Sequence, residues 1–176
     1  MDAPEVIGYG DYSVEPFSEY LARWPAELNS FPPCLIENWV HRHWPQFRDE
    51  WMPQDALNWK YMSFSLSNSE IMQIAHFVSD LRIMDHWGDQ LFKDKIRKET
   101  WLAKFMLEHG TTPAPILVLE ANARVRHPKA LEGESILKPF QIIEGHMRLS
   151  YIRGMIRHHH PTLKAQHEVW YATVTI

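Results

Sequence analysis

The sequence predicts an α+β fold, in which a small mixed sheet with packed helices carries a mainly helical N-terminal elaboration. Two apolar runs, residues 116–119 and 140–143, have the length and the polar flanks that are typical of buried strands. The last segment, residues 168–176, is rich in β-branched and aromatic residues and is typical of a strand. Apolar residues between the second run and this segment recur with a helical period, so strands and helices alternate along one unit.

Composition sets the class of protein. The 176 residues are enough for one domain with a sizeable core and a helical elaboration. Eight Trp, eight Phe and six Tyr indicate a core built with large aromatic side chains. The single cysteine, Cys34, excludes an internal disulfide and a zinc site made of cysteines. There is no apolar segment of about 18 residues, and the first residues do not resemble a signal peptide, so we expect a cytoplasmic protein.

The net charge of −4 is unevenly distributed along the chain. Residues 1–100 carry 9 basic and 16 acidic side chains, a net charge of −7, whereas residues 101–176 carry 9 and 6, a net charge of +3. A mildly basic second half suits a phosphate-bearing ligand. It is far too weak to indicate non-specific binding to a nucleic-acid duplex.

The chain divides into residues 1–87, a mainly helical region, and residues 88–176, the α+β domain, which together are expected to form one compact unit. In the first region we predict helices over residues 18–28 and 34–44. The second of these begins after two prolines, which are tolerated in a first helical turn, and Pro45 is expected to end it.

A strand and a short helix are predicted next. Residues 61–66 alternate between apolar and polar side chains, which indicates a strand. Ser67 and Glu70 have the spacing of a capping box, which predicts that a helix opens here and continues over residues 70–78. The tryptophans of the first region are expected in the core: Trp24, Trp39, Trp44, Trp51 and Trp59.

A longer helix is predicted over residues 90–109, with Gly110 as the left-handed residue that ends it. The mixed charges of residues 93–99 are most simply its solvated face.

The turn of residues 144–148 is the candidate functional feature. A helix follows Gly145, and its apolar arc contains Arg148 in the first turn. A guanidinium on an apolar arc must either pair with a carboxylate or point past the helix end at a ligand. A helix N-terminus with a preceding glycine and an arginine forms an anion site. The alternative is that Glu144 and Arg148 simply pair, Gly145 makes a tight turn and His146 caps the helix.

Four segments of the second half, in fixed order, carry a family resemblance. They read WLAKFMLEHG, APILVLE, FQIIEGHMRLSYIRGM and HEVWYATV. Together, residues 101–174 resemble the ParB/sulfiredoxin-like fold, whose pattern is a helix ending in glycine, a PI-V strand, a variable loop, a strand running into a G-[EHC]-[RH]-R turn, an amphipathic helix and a final strand. The tetrapeptide of residues 145–148 stands where ParB-type proteins have G-E-R-R and where related free-serine kinases have a D-G-H-H-R turn.

This resemblance implies nucleotide or phosphate binding at the turn, in a phosphotransferase, a phosphohydrolase or a related binding protein. It implies that Gly145 makes the turn, that Arg148 faces the phosphate, and that the backbone at His146 and Met147 completes the site. The implied ligand is a nucleoside triphosphate with Mg²⁺, and His146 and Glu144 are the implied acid/base residues. Sulfiredoxins have a reactive cysteine where this chain has His146, so reductase activity is not expected.

A second hypothesis is a non-catalytic module that binds a protein or nucleic acid through a basic loop. Arg124, Arg126, His127 and Lys129 lie in the loop before the second strand. In the resembled fold, loops at this edge approach the ligand site, so Arg124 and Arg126 are also candidates for ligand binding. A solvated loop is the equally open alternative.

Two histidine groups invite a metal hypothesis, residues 158–160 and the pair of His41 and His43. Adjacent residues on a helix point about 100° apart, so three consecutive histidines cannot all bind one ion from a regular helix. A solvated helix end explains the first group better, and the same objection applies to the second. No metal site is predicted.

Overall fold

A four-stranded mixed sheet lies at the centre of the computed structural model, which describes residues 2–8, 13–121, 125–132 and 134–174. The strands are β1 (Lys60–Ser67), β2 (Ile116–Glu120), β3 (Phe140–Glu144) and β4 (Gln166–Thr173). Their order across the sheet is β1-β4-β2-β3. Strand β4 pairs antiparallel with β1 and parallel with β2, and β2 pairs antiparallel with β3. The predicted α+β class is confirmed.

The first region of the chain contributes to the same sheet as the second. Strand β1 pairs with β4 over its whole length, from Lys60 opposite Thr173 to Ser67 opposite Gln166. Residues 1–87 therefore supply an edge strand as well as helices, and the sheet extends across the predicted division at residue 87.

Eight α-helices surround the sheet within the described residues. They are α1 (Phe17–Ala22), α2 (Pro33–Leu35), α3 (Trp44–Gln46), α4 (Asn68–Ile71), α5 (Val78–Lys93), α6 (Lys95–Lys98), α7 (Trp101–His109) and α8 (His146–Arg157). Helix α2 continues as a π-helix over Ile36–His41, and α3 continues as a π-helix over Phe47–Trp51. Three short 3₁₀ turns lie at Ala26–Leu28, Met52–Gln54 and Ala56–Asn58.

The predicted helix over residues 90–109 is wrong, because the chain forms α5, α6 and α7 in its place. Asp94 has an extended backbone, and its side chain accepts a hydrogen bond from the Ile96 amide at 2.9 Å. Thr100 is likewise extended and accepts from the Ala103 amide at 3.3 Å. Each residue caps a new helix and so interrupts the old one. Gly110 has φ 70° and ends α7, as predicted.

The helix predicted over residues 70–78 is also too long. The capping box of Ser67 and Glu70 is present, but α4 ends at Ile71. The chain then turns toward β3, where Ala75 donates to the Phe140 carbonyl at 2.9 Å and accepts from the Ile142 amide at 3.1 Å. Backbone hydrogen bonds to the sheet edge replace those of further helical turns.

Prolines shape the N-terminal helices differently from the prediction. The helical segment expected over residues 34–44 ends at His41, and Pro45 lies in the first turn of α3 rather than stopping a helix. The helix expected over residues 18–28 is divided into α1 and a 3₁₀ turn. Pro25 caps that turn in an extended conformation.

The core lies on both faces of the sheet. On one face, an aromatic cluster from the N-terminal helices packs against Leu117, Leu119 and Ile143. It contains Phe31, Trp39, Trp44, Phe47, Trp51 and Trp59. On the other face, residues of α5, α7 and α8 pack against Ile116 and Val118. The predicted core tryptophans are buried except Trp24, which is half-buried. Within the described residues, no helix is long and apolar enough to cross a membrane.

Candidate functional site

The turn between β3 and α8 has the geometry of a glycine-dependent helix start. Strand β3 ends at Glu144, and α8 begins at His146. Gly145 between them has φ 95° and ψ 27°, in the left-handed region that glycine adopts at low cost. A Cβ at this position would lie 3.0 Å from Arg148 Nε and 3.1 Å from its Nη2. The left-handed backbone therefore favours glycine, and the guanidinium that folds over it leaves little room for a side chain.

Gly145→Ala is expected to lower the free energy of unfolding by about 1–2 kcal/mol from the left-handed backbone alone. Displacement of the Arg148 guanidinium adds to this loss. Urea denaturation measures the change. Gly145→Asn is the matched control, because asparagine tolerates the left-handed conformation but brings the same Cβ. If alanine and asparagine both leave stability unchanged, the turn does not have this geometry.

Arg148 is buried and forms an ion pair with Glu144, the last residue of β3. This is the pairing that the sequence left open as an alternative to an anion site. The pair does not satisfy the whole guanidinium, because Arg148 Nε is buried without a hydrogen-bond partner in the described chain. Burial raises the pKa of Glu144, and the charge of Arg148 opposes this shift. His43 Nε2 lies 3.9 Å from the other carboxylate oxygen of Glu144.

A cavity of about 670 Å³ opens on one side of the turn, and we call it the arginine cavity. Its cationic side chains are Arg148 and Arg42. Arg42 is exposed, and its guanidinium makes no hydrogen bond or ion pair with any described residue. Trp101, at the first position of α7, is 69% exposed and lines the same cavity. Further lining residues are Cys34, Glu37, Asn38, Leu102, Pro113, Pro115 and Met147.

A second cavity of about 410 Å³ opens on the other side of the turn, and we call it the histidine cavity. Its polar wall contains His76, Asp80, His127, Lys129 and His146. Its apolar wall contains Trp39, Trp51, Ile83, Met84, Trp87 and Ile143. Glu144, His146 and His43 line both cavities, so these side chains form the wall between them.

Three imidazoles meet in the histidine cavity. The ring centroids of His76 and His146 are 5.1 Å apart, and those of His76 and His127 are 5.6 Å apart. Burial lowers the pKa of His76 and of His127 to about 4, and that of His146 to about 3. All three are therefore neutral at pH 7. His146 is consequently a hydrogen-bonding group and a weak base there, and it cannot donate a proton as an imidazolium.

Sequence reasoning identified His146 but missed His76, and it assigned His127 only to a basic loop. His76 lies between α4 and α5, and His127 lies in the loop between β2 and β3. No local spacing links the three positions, since they meet only through the tertiary fold. Met147, the other residue of the predicted turn site, lines the arginine cavity and packs against the core.

In the described part of the basic loop, the basic side chains have hydrogen-bond or ion-pair partners within the chain. The Arg126 guanidinium donates to the Ala130 carbonyl at 3.1 Å, and Lys129 forms a 2.8 Å ion pair with Asp80. His127 is buried. Arg124, the other predicted residue, lies outside the described residues. The described part of the loop thus offers no unpaired basic cluster to a protein or nucleic acid.

Three histidines of the two groups that invited a metal hypothesis have hydrogen-bonding partners of their own. In the group at residues 158–160, His158 Nε2 lies 3.2 Å from Asp89, and His160 Nδ1 lies 3.0 Å from the Thr162 hydroxyl. His41 Nε2 lies 2.9 Å from the Glu15 carbonyl. Among the described residues, no set of three or more His, Cys, Asp or Glu side chains is arranged to hold a metal ion.

Comparison with known proteins adds no relative to this geometry. No protein-family model, curated protein or solved structure gives a significant match to the chain. The resemblance of residues 101–174 to the ParB/sulfiredoxin-like fold stays a prediction.

Proposed function

We propose that this chain binds a nucleotide, or another phosphorylated small molecule, with its phosphates in the arginine cavity at the N-terminus of α8. One observation gives the main support for this proposal. Arg148 is buried at the start of a helix of 12 residues, beside a large cavity, and its Nε lacks a partner in the described chain. A buried guanidinium N–H without an acceptor is costly, and an incoming phosphate oxygen would satisfy it.

The backbone supports the same ligand. The first amides of a helix have no intrahelical acceptor, and the helix dipole places partial positive charge at that end. Gly145 has no side chain, so the Arg148 guanidinium lies against the start of the helix, where an anion can contact both the guanidinium and these amides. Arg42 supplies a second cation on the rim of the cavity.

The cavity also suits the rest of a nucleotide. Its volume of about 670 Å³ lies in the usual range for small-molecule sites. The exposed indole of Trp101 offers a flat surface on which a base can stack. Prolines 113 and 115 form a rigid apolar wall near it.

Glu144 is the acid/base residue of the proposed site. Its raised pKa brings it toward the range in which a carboxyl exchanges protons at neutral pH. When a phosphate takes over Arg148, the Glu144 carboxylate is released to accept the proton of an attacking hydroxyl group or water. The phosphoryl group would then move to that oxygen, and the nucleoside diphosphate would leave. Mg²⁺ would enter with the triphosphate, with Glu144 as the nearest carboxylate.

Titration calorimetry with ATP, CTP and tripolyphosphate, each with and without Mg²⁺, tests the proposal. We expect binding by the wild-type chain and a loss of about 10-fold or more in Arg42→Ala, because a hydrogen bond to a charged group contributes about 1.5–3 kcal/mol. Arg148→Ala is made together with Glu144→Gln, so that no buried carboxylate is left unpaired. This double variant should abolish binding.

Arg48→Ala is the matched control, because Arg48 is an exposed arginine of the same region that pairs with Asp49 and lines neither cavity. It removes the same charge and should bind as the wild type does. If the folded wild-type chain binds none of the three compounds, or if the Arg42 and Arg148 variants bind them unchanged, the proposed function is wrong.

A further inference from the structure

The histidine cavity has walls suited to a flat ring. Trp51 and Trp39 are almost fully buried and hold their positions in the aromatic cluster, with ring centroids 5.8 Å apart. Met84 and the half-exposed Trp87 face them from α5. Its volume of about 410 Å³ accommodates a ring system of one or two rings.

The hydrogen-bonding state of His127 is fixed by its neighbours. Its Nδ1 accepts the backbone N–H of Lys129 at 3.1 Å. In a neutral imidazole the proton is then on Nε2, which becomes a donor. Trp51 packs edge-on against this ring, with centroids 5.5 Å apart, and so holds its orientation. The Nε2–H of His127 has no acceptor among the described residues.

His76 is fixed in the same way. The Gln141 side-chain oxygen accepts the Leu137 amide at 3.0 Å, so the amide nitrogen of Gln141 faces His76 Nδ1 at 3.5 Å. Nδ1 therefore accepts, and Nε2 carries the proton. This Nε2 is fully buried and has no hydrogen bond in the described chain, although Asp80 Oδ2 lies 3.3 Å away outside hydrogen-bonding geometry.

The charges around these donors favour an uncharged ligand over an anion. The carboxylates of Asp80, Glu50 and Glu144 line the cavity. Lys129, a cationic side chain that lines the cavity, is already paired with Asp80. Two N–H donors beside carboxylates call for an acceptor atom that carries no net charge, such as a carbonyl oxygen or a ring nitrogen.

We propose that the histidine cavity is a second ligand site, which binds an uncharged heteroaromatic ring whose carbonyl or ring-nitrogen atoms accept from the Nε2–H groups of His76 and His127. The indoles of Trp39 and Trp51 and the side chain of Met84 bury the ring. The site does not depend on phosphate. Two sources of such a ring are a free base or nucleoside, and the base of a nucleotide whose phosphates reach across the wall of Glu144 and His146.

Thermal melting with uncharged probes tests this site separately from the phosphate site. The probes are adenine, hypoxanthine, cytosine, uracil and their nucleosides, at millimolar concentration. At least one should raise the Tm of the wild-type chain in a concentration-dependent way. Arg42→Ala should show the same rise, because these probes carry no phosphate. Nucleotides that bind more tightly than both the matching nucleoside and tripolyphosphate, and that lose this advantage in His127→Asn, would indicate the bridging source.

Two substitutions at His127 separate the acceptor at its Nδ1 from the donor at its Nε2. His127→Asn keeps an acceptor for the Lys129 amide and removes the Nε2–H, so it should weaken binding of the active probe about 5- to 10-fold. His127→Gln places an amide donor near the lost Nε2–H and should bind closer to the wild type. Ile83→Trp fills the mouth of the cavity from a side chain that is 47% exposed, and it should abolish the shift.

Ile96→Trp is the control for the added indole, since Ile96 is 82% exposed and lines neither cavity. It should keep the full shift. The proposal is overturned if no uncharged probe shifts the folded wild-type chain, or if Ile83→Trp and His127→Asn bind the active probe as the wild type does. Failure of phosphate binding with a retained nucleoside shift would overturn only the proposed function of the arginine cavity.

Discussion

Gly154→Val is expected to lower the free energy of unfolding by about 3 kcal/mol or more, which is the upper part of the range for overpacked sites. Helices α5 and α8 cross at Gly88 and Gly154. A Cβ at residue 154 would lie 2.4 Å from the Gly88 carbonyl oxygen and 2.9 Å from its Cα. A Cβ at residue 88 would lie 2.2 Å from the Ser150 carbonyl oxygen. These atoms belong to the backbone, so the helices would have to move apart.

Gly154→Ala is the sharper test, because two effects oppose each other. In an exposed helix, alanine is favoured over glycine by about 1 kcal/mol. At this crossing, the steric overlap with Gly88 is expected to outweigh that preference, so the alanine variant should also unfold at lower urea concentration. Arg82→Ala, at an exposed position of α5, serves as the control and should change stability little. A Gly154→Ala variant as stable as the wild type would contradict the close helix contact.

The crossing of α5 and α8 also shows what the helical pattern after Gly145 does not reveal. The sequence separates an apolar arc from Ser150, Arg153, Gly154 and Arg157, but it does not say what covers the polar side. In the structure α5 covers it. Arg153 is buried and donates to both carboxylate oxygens of Asp85, at 2.7 and 3.0 Å. The partner lies 68 residues earlier in the chain, so no local pattern could reveal it.

The boundaries predicted for the helix over residues 90–109 are wrong for a different reason. Asp94 and Thr100 are residues that favour N-caps, and both signals were present in the sequence within the helix predicted over residues 90–109. The helical period of the apolar residues continues across both positions, and this period predicts one uninterrupted helix. Where such a residue has an extended backbone, it ends one helix and begins another. The sequence therefore contained this information, unlike the tertiary contacts of α8.

The candidate site also has a local part, which the sequence predicts, and a part formed by tertiary contacts, which it does not. The turn from Glu144 to Arg148 is local, so a strand, a glycine and a helix start could be predicted, and the structure has all three. The histidine cavity is not local. His76 reaches it because Ala75 is bound to the edge of β3, and His127 because Trp51 and the Lys129 amide orient it. Each histidine alone looks like an ordinary polar residue.

Acid should destabilise the chain at a pH well above the one at which its ion-paired aspartates titrate. An unfolded histidine has a pKa of about 6.5. In the folded chain burial lowers the pKa of His76 and His127 to about 4 and that of His146 to about 3. The unfolded state thus binds more protons below pH 6.5. The stability that the neutral imidazoles contribute is complete above about pH 6.5 and is lost progressively as the pH falls toward 4.

The expected slope is about 1.4 kcal/mol per pH unit for each histidine that titrates only on unfolding. Burial also lowers the pKa of His43, His160 and His167, which steepens the slope further. Carboxyls whose pKa is lowered by arginine or lysine partners, such as Asp80 and Asp85, add to the loss only nearer pH 4. In the interval from pH 6.5 to 4.5 the histidines therefore dominate, and among the described residues only Glu144, whose pKa burial raises, opposes them.

Urea unfolding at half-unit steps of pH measures this dependence. The free energy of unfolding of the wild-type chain should fall by several kcal/mol between pH 6.5 and 4.5. His127→Asn, which keeps the acceptor for the Lys129 amide but does not titrate, should flatten the slope by about 1.4 kcal/mol per pH unit. A wild-type stability that stays constant over this interval would contradict the burial of neutral imidazoles. A slope that His127→Asn leaves unchanged would show that His127 is protonated in the folded chain and would remove the basis for its Nε2–H as a fixed donor.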